Sequence, residues 1–159
     1  MTCALIAIGS NVGDRLFSIE RSLPALGALP GVKVVRASGV IETDPVGPQD
    51  QGRYLNAAAV VETSLDAFEL LACMLGIEHW LGRDRSRERR WGPRVIDLDL
   101  IAHGDLILNT PDLTLPHPRM HEREFVLRPL AEIAPDFVIP GLHATVSELL
   151  SRFGNEAHR

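Results

Sequence analysis

The chain has 159 residues, of which 45% are hydrophobic and 23% charged, a composition typical of a folded domain with its own hydrophobic core. Its net charge of −5 argues against a general nucleic-acid binder, because such proteins gain their affinity by neutralising phosphates. No apolar run approaches the roughly 20 residues that a membrane-spanning helix requires.

Glycine and proline are spread along the chain rather than massed in a linker, so we predict a single domain over residues 1–159. Cys3 and Cys73 are isolated and lie in apolar surroundings, which favours small core residues in a reducing compartment. We see no signal peptide and expect a cytoplasmic protein. We also expect a monomer with no nucleic-acid or membrane partner.

In the first half of the chain, apolar spacing and turn residues mark five segments. They are a strand over Thr2–Ile8, a helix through Leu16, Ile19, Leu23 and Leu26 that ends at Pro30-Gly31, extended sequence over Val32–Thr43, a loop over Asp44–Arg53, and a strand over Leu55–Glu62. We interpret Gly9-Ser10-Asn11, after the first strand, as a structural turn, because the Gly-Lys-Ser/Thr ending of a P-loop is missing.

In the second half, two capping boxes predict where helices begin. Asp66 with Glu69 opens a helix towards Leu81, and Thr145 with Glu148 opens a final helix through Phe153. Between them we predict a strand over Val95–Ala102 with a short partner over Leu106–Leu108, and a helix over Glu122–Ile133 despite Pro129. The order β-α-β-β-α-β favours an α+β, ferredoxin-like sandwich with a mostly antiparallel sheet flanked by helices.

Positive charge is concentrated in one short segment of the chain. The arginine segment, Arg83–Arg94, has six arginines against Asp84 and Glu88, a local charge of +4, so the rest of the chain carries −9. This pattern suggests a small, highly anionic ligand, since the planar guanidinium matches phosphate oxygens. Alternatively, some of these arginines belong to a solvated surface loop.

Two carboxylates follow the arginine segment directly. Alternate residues of a strand point to opposite faces, so Asp97 and Asp99 share one face while Ile96, Leu98 and Leu100 point into the core. Either the acidic face is solvated, or a cation lies between the carboxylates. Mg²⁺ is held by one or two carboxylates together with substrate phosphates and water, so the neighbouring arginines favour a nucleotide-triphosphate site.

The stretch RWGPRVIDLDLI, from Arg90 to Ile101, resembles the signature of the hydroxymethyldihydropterin pyrophosphokinase family. Four more segments resemble that family in the same order, so the similarity runs from about Ala4 to Leu150. They are AIGSN at 7–11, TDPVGPQDQ at 43–51, YLNAA at 54–58 and LPHPRMHEREFVLRPLAEIAP at 115–135.

This resemblance implies a reaction and a set of site residues. ATP would transfer its terminal pyrophosphoryl unit to the hydroxymethyl oxygen of 6-hydroxymethyl-7,8-dihydropterin and release AMP. Two Mg²⁺ ions would bridge the triphosphate to Asp97 and Asp99, and Arg83 and Arg94 would join these aspartates in catalysis. The pterin would contact Thr43, Asp44, Val46, Tyr54, Asn56 and Phe125. ATP would contact Glu78, Arg83, Arg85, Trp91, Arg94, His117 and Arg123.

The arginine segment is one residue longer than in some relatives, which leaves Arg87, Arg89 and Arg90 without an assigned role. We expect the two loops Asp44–Arg53 and Arg83–Pro93 to close over bound substrates and exclude water. Two rival functions remain open: an RNA-binding module on a ferredoxin-like sheet, disfavoured because only 5% of residues are aromatic, and a magnesium-dependent phosphotransferase or nuclease for another substrate.

Overall fold

The computed structural model describes residues 1–45, 50–89 and 92–157. Its strands are β1 (Thr2–Ser10), β2 (Val32–Ala37), β3 (Ile41–Thr43), β4 (Tyr54–Thr63), β5 (Asp97–His103), β6 (Leu108–Asn109), β7 (Thr114–Leu115), β8 (Val138–Ile139) and β9 (Ala144–Thr145). Its helices are α1 (Arg15–Gly27), α2 (Ala67–Trp80), α3 (Glu124–Ile133) and α4 (Val146–Ala157), with 3₁₀ turns at Arg85–Arg87 and Met120–Glu122.

One main sheet organises the molecule. Its strands lie in the order β2-β4-β1-β5, and the short β3 also pairs with β4. Each of these pairings is antiparallel. This is the split βαβ arrangement: β2, which follows α1, does not pair with β1, because β4 lies between them. The ferredoxin-like fold class is confirmed, and the structure adds the strand order.

Helices cover both faces of the sheet. Alternate residues of β1 separate the two cores: Ala4, Ile6 and Ile8 pack with apolar residues of α1 and α2. Leu5 and Ala7 pack with residues of α3 and α4 on the other side. Because β1 and β4 are buried on both faces, they are nearly continuous apolar runs rather than strictly alternating ones.

The helix-start signals are confirmed by their hydrogen bonds. The Asp66 carboxylate accepts from the backbone N–H of Glu69, and the Glu69 side chain accepts from the backbone N–H of Asp66. Thr145 and Glu148 make the same reciprocal pair at the start of α4. Local side-chain chemistry therefore identified both helix starts correctly.

Three sequence-based expectations are wrong in part. The predicted partner strand over Leu106–Leu108 does not pair with β5; instead β6 pairs with β7. The chain turns away at Gly104, whose positive φ of 58° and N–H bond to the Cys3 carbonyl direct it off the sheet. The extended segment over Val32–Thr43 divides into β2 and β3. Cys3 and Cys73 are only partly buried; Cys3 packs against the core under α3 and α4, whereas Cys73 belongs to neither core.

No helix in residues 1–45, 50–89 or 92–157 is both long and apolar enough to span a membrane.

Candidate active site

A cavity of about 280 Å³ opens between the sheet and the start of α3. It lies on the sheet face that α3 and α4 cover, at the end where β1 finishes and β5 begins. Its lining comes from five parts of the chain: Ala7, Ile8 and Gly9; Thr43 and Asp44; Tyr54, Asn56 and Ala57; Gly92, Arg94, Asp97 and Asp99; and His117, Arg123, Phe125 and Val126.

Strand register builds the floor of this cavity. Gly9 of β1 lies opposite Asn56 on one side and opposite Asp97 on the other, so the three form one row across the sheet. In the next row Ala7 lies between Ala58 and Asp99. Asn56 and Asp97 are thus two strand spacings apart, roughly 10 Å. The small residues of β1 leave the space between them open.

Gly9 is required at its position by close packing. A Cβ there would lie 3.2 Å from Oδ1 of Asn56 and 3.5 Å from the Tyr54 ring. A larger residue would therefore push against both side chains.

On the β4 side of the floor, an amide and two aromatic rings surround the cavity. Asn56 is buried and its Nδ2 donates to Oγ1 of Thr43 at 2.6 Å. Burial raises the pKa of Tyr54 to about 12, helped by the negative charge of Asp97. Phe125, from the first turn of α3, also lines the cavity, and Arg123 lies 5.8 Å over its ring. This part of the cavity therefore combines two aromatic side chains with a buried amide.

On the β5 side, both aspartates line the cavity, as strand alternation predicts. Burial raises the pKa of Asp99 well above its usual value, and the negative charges of Asp97 and Glu78 raise it further. Arg123 and Arg83 offset this rise only in part. A cation bound beside Asp99 would stabilise its ionised form.

A buried ion-pair network lies behind these aspartates. Arg83 Nη1 donates to Asp97 Oδ1 at 3.1 Å and to Glu78 Oε2 at 2.7 Å, while its Nε and Nη2 bind Glu88. Burial acts to lower the pKa of Arg83, but the Glu88 hydrogen bond and the charges of Asp97, Glu78 and Glu88 raise it overall. Arg83 is thus a fixed cation that orients Asp97.

Glu78 connects this network to the sheet. Its Oε2 accepts the backbone N–H of Leu98 at 2.7 Å, and its Oε1 accepts from Arg85 at 2.8 Å. Since β5 is an edge strand, the Leu98 N–H points away from β1 and would otherwise be buried without a strand partner. The Glu78 carboxylate therefore accepts hydrogen bonds from the Leu98 backbone and from both Arg83 and Arg85.

Arg94 reaches the cavity from the end of the arginine segment. Its Nη1 donates to the carbonyls of Arg89, Gly92 and Pro93 at 3.0–3.2 Å, and its Nε lies 3.3 Å from Glu88. These bonds tie the Arg94 side chain to the carbonyls of Arg89, Gly92 and Pro93 and to Glu88.

His117 and Arg123 form the wall facing the arginine segment. The His117 backbone N–H donates to the Ile101 carbonyl at 2.8 Å, which anchors this loop to β5. Burial, with Arg123 close by, lowers the pKa of His117 to about 4. His117 is therefore a neutral hydrogen-bonding group near neutral pH.

Most of the site residues inferred from sequence come together in this cavity. The inferred residues that line it are Thr43, Asp44, Tyr54, Asn56, Arg94, Asp97, Asp99, His117, Arg123 and Phe125. Glu78, Arg83 and Arg85 do not line it: the first two are buried behind β5, and the Arg85 side chain is exposed. Val46 and Trp91 lie outside the described residues.

Sequence reasoning missed Asn11. Its side chain bonds both to the 44–53 loop and to Arg94, so it does more than complete a turn. The available signal was its position, since it follows directly on the strand that forms the cavity floor.

The side chains at the cavity suit Mg²⁺ that is bound partly by substrate and water, and they do not suit a metal held by protein ligands alone. Within the part of the chain that the structure describes, no group of three or more His, Cys, Asp or Glu side chains could hold a metal. Two carboxylates beside an open cavity match a hard cation that takes its remaining ligands from phosphate oxygens and water.

Comparisons with known proteins identify the family of this chain. The family model for 7,8-dihydro-6-hydroxymethylpterin-pyrophosphokinase (HPPK) matches residues 5–135. A 2-amino-4-hydroxy-6-hydroxymethyldihydropteridine pyrophosphokinase from Methylorubrum extorquens is 47% identical over 152 residues, covering 96% of this chain and 94% of the relative. Another from Bacillus subtilis is 48% identical over 130 residues, covering 82% and 77%.

Among solved structures, the Plasmodium falciparum HPPK-DHPS has a TM-score of 0.76 at 14% identity, over 98% of this chain and 43% of that one. The chain spans less than half of that protein, and the likeness supports the fold alone.

Proposed function

The chain belongs to the 7,8-dihydro-6-hydroxymethylpterin-pyrophosphokinase family, and we propose that the cavity described above is where it transfers pyrophosphate from ATP to hydroxymethyldihydropterin. This reaction is a step of folate biosynthesis. The hydroxymethyl oxygen loses its proton and bonds to the β-phosphorus of ATP. The bond between that phosphorus and the oxygen that bridges it to the α-phosphorus breaks, and AMP leaves with that oxygen.

The observation that carries this proposal is the row Asn56–Gly9–Asp97 across the sheet. It puts an amide beside two aromatic rings at one end of a single cavity and two carboxylates at the other. The two strand positions are roughly 10 Å apart, which leaves room for a small ring between the amide and the carboxylates. A phosphotransferase for a substrate without a flat ring would not need the aromatic side chains of Tyr54 and Phe125 in this cavity.

On the pterin side, Asn56 would bind the amide-like edge of the ring, and Tyr54 and Phe125 would stack on its two faces. Thr43 orients the Asn56 amide through its 2.6 Å hydrogen bond. Asp44 and Val46 would complete the pocket beside the ring.

On the nucleotide side, Arg94, His117 and Arg123 would contact ATP directly because they line the cavity. Trp91 lies three residues before Arg94 in the sequence and would close over the substrates. Arg85 has an exposed side chain and would bind phosphate by leaving Glu78. Arg83 would act through Asp97, which it orients.

Two Mg²⁺ ions at Asp97 and Asp99 would neutralise the triphosphate and the charge that develops on it during transfer. Two carboxylates cannot complete the coordination of two ions, so the phosphate oxygens would supply further ligands. Most of the rate enhancement would then come from positioning and from charge neutralisation.

We propose that Glu78 is a positioning residue rather than an ATP contact. It is 1% exposed, and both of its carboxylate oxygens already accept hydrogen bonds. We further propose that the enzyme is a cytoplasmic monomer built as a single domain, and that the loops at 44–53 and 83–93 close over the bound substrates.

The test is AMP release from ATP and Mg²⁺, measured with and without 6-hydroxymethyl-7,8-dihydropterin, beside an Asp97→Ala control. We expect AMP that depends on the pterin and disappears in the control. Release of ADP, or AMP release that does not need the pterin, would contradict the proposed use of the cavity.

A further inference from the structure

Glu88 connects a buried arginine to one that lines the cavity. Its carboxylate accepts from Arg83: Nε donates to Oε1 at 3.1 Å and to Oε2 at 2.9 Å, and Nη2 donates to Oε1 at 2.9 Å. The same Oε1 lies 3.3 Å from Nε of Arg94. Glu88 does not itself line the cavity, and no sequence pattern assigned it a role.

The two arginines differ in how firmly carboxylates hold them. Arg83 is 4% exposed and binds Glu78 and Asp97 as well as Glu88, so three carboxylates fix its guanidinium. Arg94 lines the nucleotide end of the cavity, and its side chain is 15% exposed. Among the ion pairs of the described residues, Glu88 is the one carboxylate on Arg94.

A nucleotide triphosphate would compete with Glu88 for Arg94, because a guanidinium binds carboxylates and phosphates through the same N–H donors. If Arg94 turns to a phosphate oxygen, Glu88 keeps its three hydrogen bonds from Arg83. The carboxylate is then not left as a buried charge without a partner, which would be costly. Glu88 can therefore give up Arg94 at a small cost.

The same arrangement recurs on the other side of Arg83. Glu78 accepts from Arg83 through Oε2 and from Arg85 through Oε1. Two carboxylates thus each hold one outer arginine, and Arg83 is common to both. Arg83 supplies the positive charge that remains beside each carboxylate when its outer arginine leaves.

We propose that Glu88 is a positioning residue that takes the place of a phosphate in the empty cavity, holding Arg94 until the triphosphate replaces it. This inference rests on the proposed function of the cavity and adds to it a competition between one carboxylate and the substrate. Glu88 therefore lowers the apparent affinity for ATP, because only molecules in which Arg94 has left Glu88 are ready to bind.

The test is isothermal titration calorimetry of the whole chain with Mg²⁺ and a methylene-bridged ATP analogue. Glu88→Gln keeps an oxygen that accepts from Arg83 but removes the charge that holds Arg94. We expect this variant to bind the analogue about fivefold more tightly than the wild type does. A purely structural role of Glu88 would instead weaken analogue binding.

Asp84→Asn is the matched control. It removes a negative charge from the same segment, at an exposed side chain that pairs with Arg87 rather than with Arg94. Solvent and salt screen such a charge, so the analogue Kd of this variant should stay within about twofold of the wild-type value.

A second measurement uses the wild type and does not depend on how well Glu88→Gln folds. Nitrogen–proton correlation spectra follow the Nε–H signals of arginines, and Arg94→Ala identifies the Arg94 signal by its loss. When Mg²⁺ and the analogue bind to the wild type, the Arg94 signal should shift, because its acceptor changes from a carboxylate to a phosphate.

Equal tightening in Glu88→Gln and Asp84→Asn would show a general charge effect and overturn the proposal. Unchanged or weaker binding in Glu88→Gln would overturn it too, as would an Arg94 signal that does not move when the analogue binds to the wild type. These results would leave the proposed function standing. A wild type that does not bind the analogue would overturn the proposed function itself.

Discussion

Replacing Glu78 by Gln tests whether this buried carboxylate holds the site together. In the structure its two oxygens accept from Arg83, Arg85 and the Leu98 backbone at 2.7–2.8 Å. Glutamine can keep one oxygen on Leu98, but its amide group then faces an arginine donor. The substitution therefore removes a buried charge and creates a donor–donor contact.

The size of the effect follows from the partners that remain. Removing one member of a buried ion pair costs about 3–5 kcal/mol. Arg83 keeps Glu88 and Asp97, and the Arg85 side chain is 57% exposed, so its bond contributes little. These partners reduce the cost, and we expect the free energy of unfolding to fall by about 3 kcal/mol.

Urea unfolding followed by far-UV circular dichroism measures this loss, which should appear as a lower midpoint with an unchanged slope. Glu20→Gln, on the exposed side of α1, is the matched control and should change stability by less than about 0.5 kcal/mol. A loss below about 1 kcal/mol in Glu78→Gln would refute the positioning argument. A raised KM for ATP with unchanged stability would instead make Glu78 a direct nucleotide contact.

The other predictions concern the cavity itself. Asp97→Asn and Asp99→Asn should each abolish turnover, and substantial activity in either would exclude the proposed metal site. Asn56→Ala should weaken pterin binding much more than ATP binding in calorimetry; equal losses would count against the pterin slot. Hydrogen exchange at 44–53 and 83–93 should slow when the ATP analogue and pterin bind together, and unchanged rates would argue against loop closure.

His117 contributes to the pH dependence of stability. Its folded pKa of about 4 lies below the ordinary 6.5, so the unfolded chain takes up the proton first as the pH falls. Its contribution to stability is complete above about pH 6.5 and is lost as the pH falls towards 4. An NMR titration of the His117 ring should give a midpoint near 4, whereas a midpoint near 6.5 would show an exposed imidazole.

Several features of this protein could be predicted from neighbouring residues alone. The capping boxes at Asp66 and Thr145 depend on side chains three residues apart, and both form as predicted. The common face of Asp97 and Asp99 follows from the two-residue period of a strand. Such signals act within one turn or one strand, so they need no knowledge of the rest of the fold. The ordered motifs along the chain were enough to indicate the family.

The tertiary structure determined the strand order and the contacts between residues that are far apart in the sequence. The row Asn56–Gly9–Asp97 exists because β1 lies between β4 and β5, and the strand order was not predicted from sequence. Glu78 lies at the edge of β5 and not in the cavity lining, a placement that no local pattern in the sequence indicated. Asn11 resembled a simple turn until two distant segments were found to meet there. Which strand lies beside which is decided by contacts between segments far apart in the sequence, and signals within one turn or one strand do not specify it.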